Sequence, residues 1–71
     1  MILSDALRRA RKNAHVTQIQ AASASGVSPA MYQFYEYGRN EPTASVLLRL
    51  ADFYDVSLDY LVGRSDVPER R

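Results

Sequence analysis

Residues 16–42 read VTQIQAASASGVSPAMYQFYEYGRNEP, and this stretch decides the fold of the 71-residue chain. Thr17 and Gln20 match a capping box, in which each side chain satisfies a backbone N–H group at the start of a helix. Gly26 can adopt the left-handed conformation that ends a helix. The residues between these signals are therefore predicted to form a short helix that ends near Ser25.

A second helix is predicted directly after this turn. Ser28 is a favourable N-cap. Pro29 suits the first helical position, where its missing N–H would have no partner within the helix. We expect this helix to continue to Tyr37 and to end at Gly38. Two short helices around a glycine turn are the layout of a helix-turn-helix, which presents its second helix to the major groove of DNA.

Two longer helices are predicted on either side of this pair. Apolar residues at helical spacing predict a first helix from about Leu3 to Asn13. His15 follows it and tolerates positive φ better than most residues. The inner stripe of this helix is predicted to be Leu3, Leu7, Ala10 and Ala14. Thr43 is predicted to cap a fourth helix. The inner stripe of the fourth helix is predicted to be Leu47, Leu50, Ala51 and Tyr54.

A short fifth helix completes the predicted fold. Ser57 is expected to cap a helix over residues 58–62, which stops at Gly63. The whole pattern is all-α. We expect a single domain over residues 1–64 and a polar C-terminal tail over residues 65–71.

The composition is that of a folded, soluble chain, with 46% hydrophobic and 24% charged residues. The absence of cysteine excludes disulfides and thiolate metal sites. There is neither a membrane-length apolar run nor a secretory signal, so we expect a cytoplasmic, nucleoid-associated protein with no membrane partner. Net charge is +1, yet residues 1–42 carry +2 and residues 43–71 carry −1. This asymmetry has the sign expected if the first half faces phosphate, although a solvated helix face would also produce it.

The order of these motifs resembles the phage Cro and repressor family of helix-turn-helix regulators, the XRE type. The resemblance covers about residues 3–64. It rests on the runs Thr17-Gln18-x3-Ala22-x3-Gly26-Val27-Ser28, Tyr35-Glu36-x-Gly38-Arg39-x-Glu41-Pro42 and Leu47 to Gly63. The resemblance implies a five-helix, lambda-repressor-like DNA-binding domain whose helices 2 and 3 form the helix-turn-helix. It also implies a sequence-specific repressor that binds an inverted-repeat operator as a homodimer and needs no cofactor.

The resemblance further implies which side chains would read bases. The matching positions are Gln18, Pro29, Ala30, Gln33 and Phe34. A glutamine amide can donate to N7 and accept from N6 of adenine at the same time. Ala30, Met31 and Phe34 would contact thymine methyl groups. The alternative for Met31 and Phe34 is that they fill a gap in the core.

Other positions are assigned structural or phosphate-binding roles. Arg11 and Glu36 match positions that form an ion pair in similar proteins. Contacts to the DNA backbone are expected from Arg11, Thr17, Ser28, Tyr37, Arg39 and Asn40. Tyr32, with Val27 and Tyr35, matches core positions. Because Ala21 and Ser25 are smaller than is usual in the family, we expect Tyr32, with help from Tyr35, to fill the space that they leave.

The last helix is the predicted dimer surface, and two other functions remain open. The interface residues would be Leu58, Tyr60, Leu61 and Val62, of which Leu58 and Leu61 should also close the monomer core. The only histidine is His15 and no catalytic constellation is visible, so an enzyme is not expected. The apolar face of the third helix would also suit a protein-interaction module. An antitoxin-like protein would combine DNA binding with an unidentified protein partner.

Overall fold

The computed structural model describes residues 2–63, which form five helices and no strand. The helices are α1 Ile2–Ala14, α2 Gln18–Ser25, α3 Pro29–Tyr37, α4 Ala44–Tyr54 and α5 Leu58–Leu61. Each predicted helix is present, with bounds within about one residue of those predicted. The predicted polar tail, residues 65–71, lies outside the residues that the structure describes. None of the described helices is long and apolar enough to cross a membrane.

Side-chain caps fix where the helices begin. The hydroxyls of Thr17, Ser28, Thr43 and Ser57 each accept the backbone N–H three residues ahead, at the starts of α2, α3, α4 and α5. The capping box between Thr17 and Gln20 is complete in both directions. Each cap satisfies a backbone donor that has no partner within its own helix.

Left-handed residues fix where the first four helices end. Gly26 and Gly38 both have φ of 77°, which costs glycine little because it lacks a Cβ atom. His15 has φ of 58°, as the sequence predicted, and Asp55 closes α4 with φ of 55°. The turn between α2 and α3 is therefore set by local chemistry, which fixes the angle at which α3 leaves α2.

The core lies where α1 packs against α3 and α5, and where α2 and α4 pack against each other. The fully buried residues include Leu7, Ala21, Tyr32, Leu50 and Leu61. Ala21, Ser25 and Tyr32 are all completely buried. This burial is required if Tyr32 is to fill the space left by the small side chains of Ala21 and Ser25. The hydroxyl of Ser25 donates to the carbonyl of Ala21 at 3.0 Å, so that a polar side chain is tolerated there.

Two core predictions, for Ala14 and Leu58, were wrong, and the predicted inner stripe of α4 was incomplete. Ala14 is exposed because it is the last residue of α1, where the chain turns at His15. On α4 the inner face also includes Val46, which was not predicted, while Leu47 is half-buried and packs against the core. Leu58 is 38% exposed, because α5 is little more than one turn long and buries a single face.

Candidate nucleic-acid interface

The two faces of α3 have opposite environments. Tyr32, Tyr35 and Glu36 are buried. Pro29, Ala30, Gln33 and Tyr37 are exposed on the remainder of the helix. A helix with one face fixed in the core presents its other face at a defined orientation. A recognition helix needs such a defined orientation.

Glu36 is the centre of the buried face. Its side chain is only 1% exposed and forms the predicted ion pair with Arg11. Nε of Arg11 donates to Oε2 at 2.7 Å, and Nη2 donates to Oε1 at 3.2 Å. Nη1 of Arg11 donates to the carbonyl of Val16 at 3.3 Å. One guanidinium therefore ties α1 to α3 and to the loop that precedes α2.

Further groups stabilise the carboxylate of Glu36. Tyr32 hydrogen-bonds to it, and the hydroxyls of Tyr32 and Tyr54 are hydrogen-bonded to each other. Since a carboxylate only accepts, Tyr32 donates to Glu36 and accepts from Tyr54. Burial alone would raise the pKa of Glu36, but hydrogen bonds from Arg11, Tyr32 and Gln18 outweigh it and hold this pKa below its ordinary value. Arg8 also donates to the backbone carbonyl of Glu36.

The two glutamines predicted to read bases are joined to this centre. Nε2 of Gln18 donates to Oε1 of Glu36 at 3.1 Å, and Nε2 of Gln33 donates to Oε1 of Gln18 at 3.1 Å. The sequence predicted each glutamine as an independent base reader and did not predict their contact. That contact depends on how α2 crosses α3, which residue spacing within one helix does not give.

The apolar half of the outward face divides between two environments. Met31 is half-buried and packs against the core, so the core alternative applies to it. Its sulfur also lies 3.3 Å from Nδ2 of Asn40. Phe34 is half-buried, with the guanidinium of Arg39 5.9 Å from the centre of its ring. This is cation–π distance, so Arg39 covers one side of the ring that is predicted to face bases.

An open cleft of about 550 Å³ lies at the starts of α2 and α3. Its lining is formed by Arg11, Val16, Thr17, Gln18, Ile19, Pro29 and Gln33. Ile19 is 67% exposed beside it and was not among the predicted site residues. Its signal in the sequence was an apolar residue at the second position of α2, off the buried stripe formed by Ala21, Ala22 and Ser25.

The predicted phosphate-binding residues are positioned unequally for that role. Thr17 and Ser28 are exposed at the N-termini of α2 and α3, where the helix dipole favours an anion. A hydroxyl that accepts in a cap can still donate its own hydrogen. Tyr37, Arg39 and Asn40 are exposed. Arg11, in contrast, is 18% exposed and directs three of its five N–H groups into the protein, so its first role is structural.

The predicted dimer surface needs one correction. Leu61 is completely buried, because α5 packs against α1 and α4, and it cannot meet a partner while the monomer stays folded. Leu58 and Val62 are each 38% exposed. Tyr60 is half-buried, and its hydroxyl lies 3.4 Å from Nε of Arg9. Within residues 2–63, no group of three or more acidic, histidine or cysteine residues could hold a metal ion.

Comparison with known proteins fits this geometry. A family model described as helix-turn-helix matches residues 7–61, which includes all of α2 and α3. The chain belongs to this helix-turn-helix family. The XRE-type resemblance seen in the sequence is thereby confirmed.

Named relatives are transcriptional regulators. The chain is 34% identical over 70 residues to the HTH-type transcriptional regulator ImmR of Bacillus subtilis, covering 99% of this chain and 55% of that protein. It is 38% identical over 64 residues to the cryptic phage CTXphi transcriptional repressor RstR of Vibrio cholerae, covering 90% of this chain and 57% of RstR. The chain therefore spans a little over half the length of these curated relatives.

Solved structures show the same fold. The DNA-binding domain of the P22 c2 repressor in solution superposes with a TM-score of 0.85 at 27% identity, covering 94% of this chain and 87% of that one. A crystal structure of the P22 c2 repressor in complex with a synthetic operator gives the same TM-score at 26% identity, covering 92% and 98%.

Proposed function

We propose that this chain is a sequence-specific DNA-binding transcriptional regulator, a repressor, that places α3 in the major groove. The observation that carries the proposal is the division of α3 into a fixed face and a free face. Glu36 and Tyr32 hold the helix against the core, while Gln33, Ala30 and Pro29 are exposed. A similar protein, the P22 c2 repressor, has been solved in complex with a synthetic operator.

The chemistry of the free face suits a duplex. Gln33 carries a donor and an acceptor that match adenine in the major groove. Ala30 and the ring of Phe34 would contact thymine methyl groups. Arg39, Asn40 and the helix starts at Thr17 and Ser28 would hold phosphates on either side. The backbone contacts would set the register and the base contacts would set the sequence.

One such domain makes few base contacts, so we propose that it acts as a homodimer on an inverted repeat. Two copies would place their α3 helices about 34 Å apart, one turn of the duplex. The exposed parts of Leu58 and Val62, with Tyr60, form the proposed dimer surface. Two copies of the chain should therefore bind one operator duplex.

Selection of bound sequences from a random duplex library, with the wild type and Gln33→Ala in parallel, tests this function. We expect the wild type to enrich an inverted repeat with half-sites about 10 base pairs apart, and Gln33→Ala to relax one position in each half-site. Affinity should fall steeply with salt, because neutralised phosphates release counterions. No enrichment at low salt, together with salt-insensitive binding to a protein, would indicate an interaction module instead.

A further inference from the structure

A chain of hydrogen bonds runs from the buried ion pair to the exposed face of α3. Oε1 of Glu36 accepts from Nε2 of Gln18 at 3.1 Å, and Oε1 of Gln18 accepts from Nε2 of Gln33 at 3.1 Å. Glu36 is buried, Gln18 is half-buried and Gln33 is exposed. The three side chains therefore connect the core to the surface that is proposed to meet DNA.

The carboxylate sets the direction of every bond in this chain. Glu36 is held in its charged form by Arg11, and a carboxylate can only accept. Gln18 must therefore turn its NH2 group toward Glu36, which leaves its carbonyl oxygen toward Gln33. Gln33 must in turn present an N–H to that oxygen. A free glutamine amide can rotate by 180° and exchange its donor and acceptor edges, but here each rotation would break a bond.

This constraint determines what Gln33 can offer to a base. A glutamine amide has two N–H donors and one carbonyl acceptor. With one N–H committed to Gln18, the amide keeps one donor and the acceptor. Adenine needs one donor for N7 and one acceptor for N6, whereas N7 and O6 of guanine both need donors.

We infer that Gln18 is a positioning residue that makes Gln33 select adenine over guanine at the base it faces. The inference rests on the proposed function, since it concerns the reading of a duplex by α3. In this account Gln18 acts through Gln33. Removal of the Gln18 amide should restore both donors to Gln33 and let it accept guanine.

Competition binding with Gln18→Met tests this inference. Methionine has a similar length but lacks the amide. The duplexes are the selected operator with adenine or guanine at the position that Gln33→Ala relaxes. We expect the wild type to prefer adenine by about 5- to 150-fold, the range that a bidentate contact gives. Gln18→Met should reduce this preference at least about fivefold, with preferences at the other positions unchanged.

Two controls separate positioning from general damage. Ile19→Met introduces the same side chain at the neighbouring exposed position and should leave the preference for adenine intact. In the Gln33→Ala background, Gln18→Met should have no further effect on that position, because the group through which it acts is gone. A uniform loss of affinity at every position, or additive effects in the double variant, would overturn the inference while leaving DNA binding in place.

A measurement without DNA keeps the inference testable if no operator is found. The side-chain NH2 resonances of Gln33, observed by NMR in the free protein, should move toward those of a solvated amide in Gln18→Met but not in Ile19→Met. Should Gln18→Met fail to fold, Gln33→Ala serves instead, since it changes an exposed residue. It should shift the NH2 resonances of Gln18. Unchanged resonances would contradict the hydrogen-bond chain itself.

Discussion

Polar groups on the two faces of α3 have opposite environments. On the inward face, Glu36 and the hydroxyl of Tyr32 are buried and hydrogen-bonded to one another and to Arg11 and Tyr54. Within residues 2–63, no buried side-chain nitrogen or oxygen lacks a hydrogen-bond partner. On the outward face, Gln33 and Tyr37 extend into solvent.

This difference separates the residues that hold α3 in place from the residues that are proposed to contact DNA. Buried polar groups are costly unless they are satisfied, so the inward network specifies one position for α3. Substitutions on that face should change stability, and substitutions on the outward face should change binding. Gln18 lies between the faces, because it bonds to Glu36 on one side and to Gln33 on the other.

The largest effect should come from Glu36→Ala. This change leaves Arg11 without its partner in a nearly buried site, which typically costs about 3–5 kcal/mol of folding free energy. Urea unfolding monitored by circular dichroism would measure it. The matched control is Tyr37→Ala at the exposed neighbouring position, which should change stability by less than about 0.5 kcal/mol. Equal effects of the two changes would mean that the faces do not differ as described.

A smaller loss of folding stability is expected at high pH, where Tyr54 ionises. Burial raises the pKa of Tyr54 to about 12 from an ordinary value of 10.0. A group whose pKa is raised by folding contributes stability that is complete below the unfolded pKa. The contribution of Tyr54 should therefore be lost as the pH rises from 10 to about 12, a change of roughly 2 kcal/mol.

Tyr54→Phe provides the comparison for this pH dependence. When unfolding free energies are measured from about pH 9 to pH 12, the wild type should lose stability relative to the variant as the pH rises. The burial of Tyr32 also raises its pKa, so the variant should retain part of the dependence. Parallel curves for the two proteins would show that Tyr54 does not titrate as its buried position predicts.

Substitution in the turn between α2 and α3 should cause a smaller loss of stability. Gly26→Ala places a Cβ at a φ of 77°, which costs about 1–2 kcal/mol. The new atom would also lie 2.9 Å from Nη1 of Arg49, a flexible side chain that can move. Gly26→Asn should cost less, because asparagine tolerates this conformation better. Thermal unfolding distinguishes the two, and equal losses would indicate that the backbone angle is not the cause.

The smallest effect on stability should come from Gln33→Ala. The residue is exposed, so the free energy of unfolding should change by less than about 0.5 kcal/mol. Its effect should instead be seen in binding, as a loss of about 1–3 kcal/mol of discrimination at one base pair. A variant that lost stability without losing discrimination would reverse the assignment of the outward face.

Local signals in the sequence accounted for most of the fold. The caps at Thr17 and Ser28 and the left-handed turn at Gly26 depend on residues within about four positions of each other, so that spacing alone predicted them. The bond between Arg11 and Glu36 was expected only through the family resemblance, because 25 residues separate the two.

The errors and omissions arose where packing between helices decides the outcome. The burial of Leu61 and the exposure of Leu58 depend on how a single turn meets α1 and α4. The exposure of Ile19 and the contact between Gln18 and Gln33 depend on the crossing of α2 and α3. A periodicity within one helix identifies an apolar face, but it does not say which polar side chains of two helices will meet.

The central claim is that the outward face of α3 meets DNA, and an NMR titration tests it most directly. The labelled chain would be titrated with the selected operator duplex and with a scrambled duplex of equal length. We predict that the operator shifts the amide resonances of Gln18, Ala30, Gln33 and Phe34 most strongly. The amide resonances of Leu48 and Phe53, which are exposed apolar residues of α4, should not shift. Shifts centred on Leu48 and Phe53, or identical responses to both duplexes, would contradict the claim.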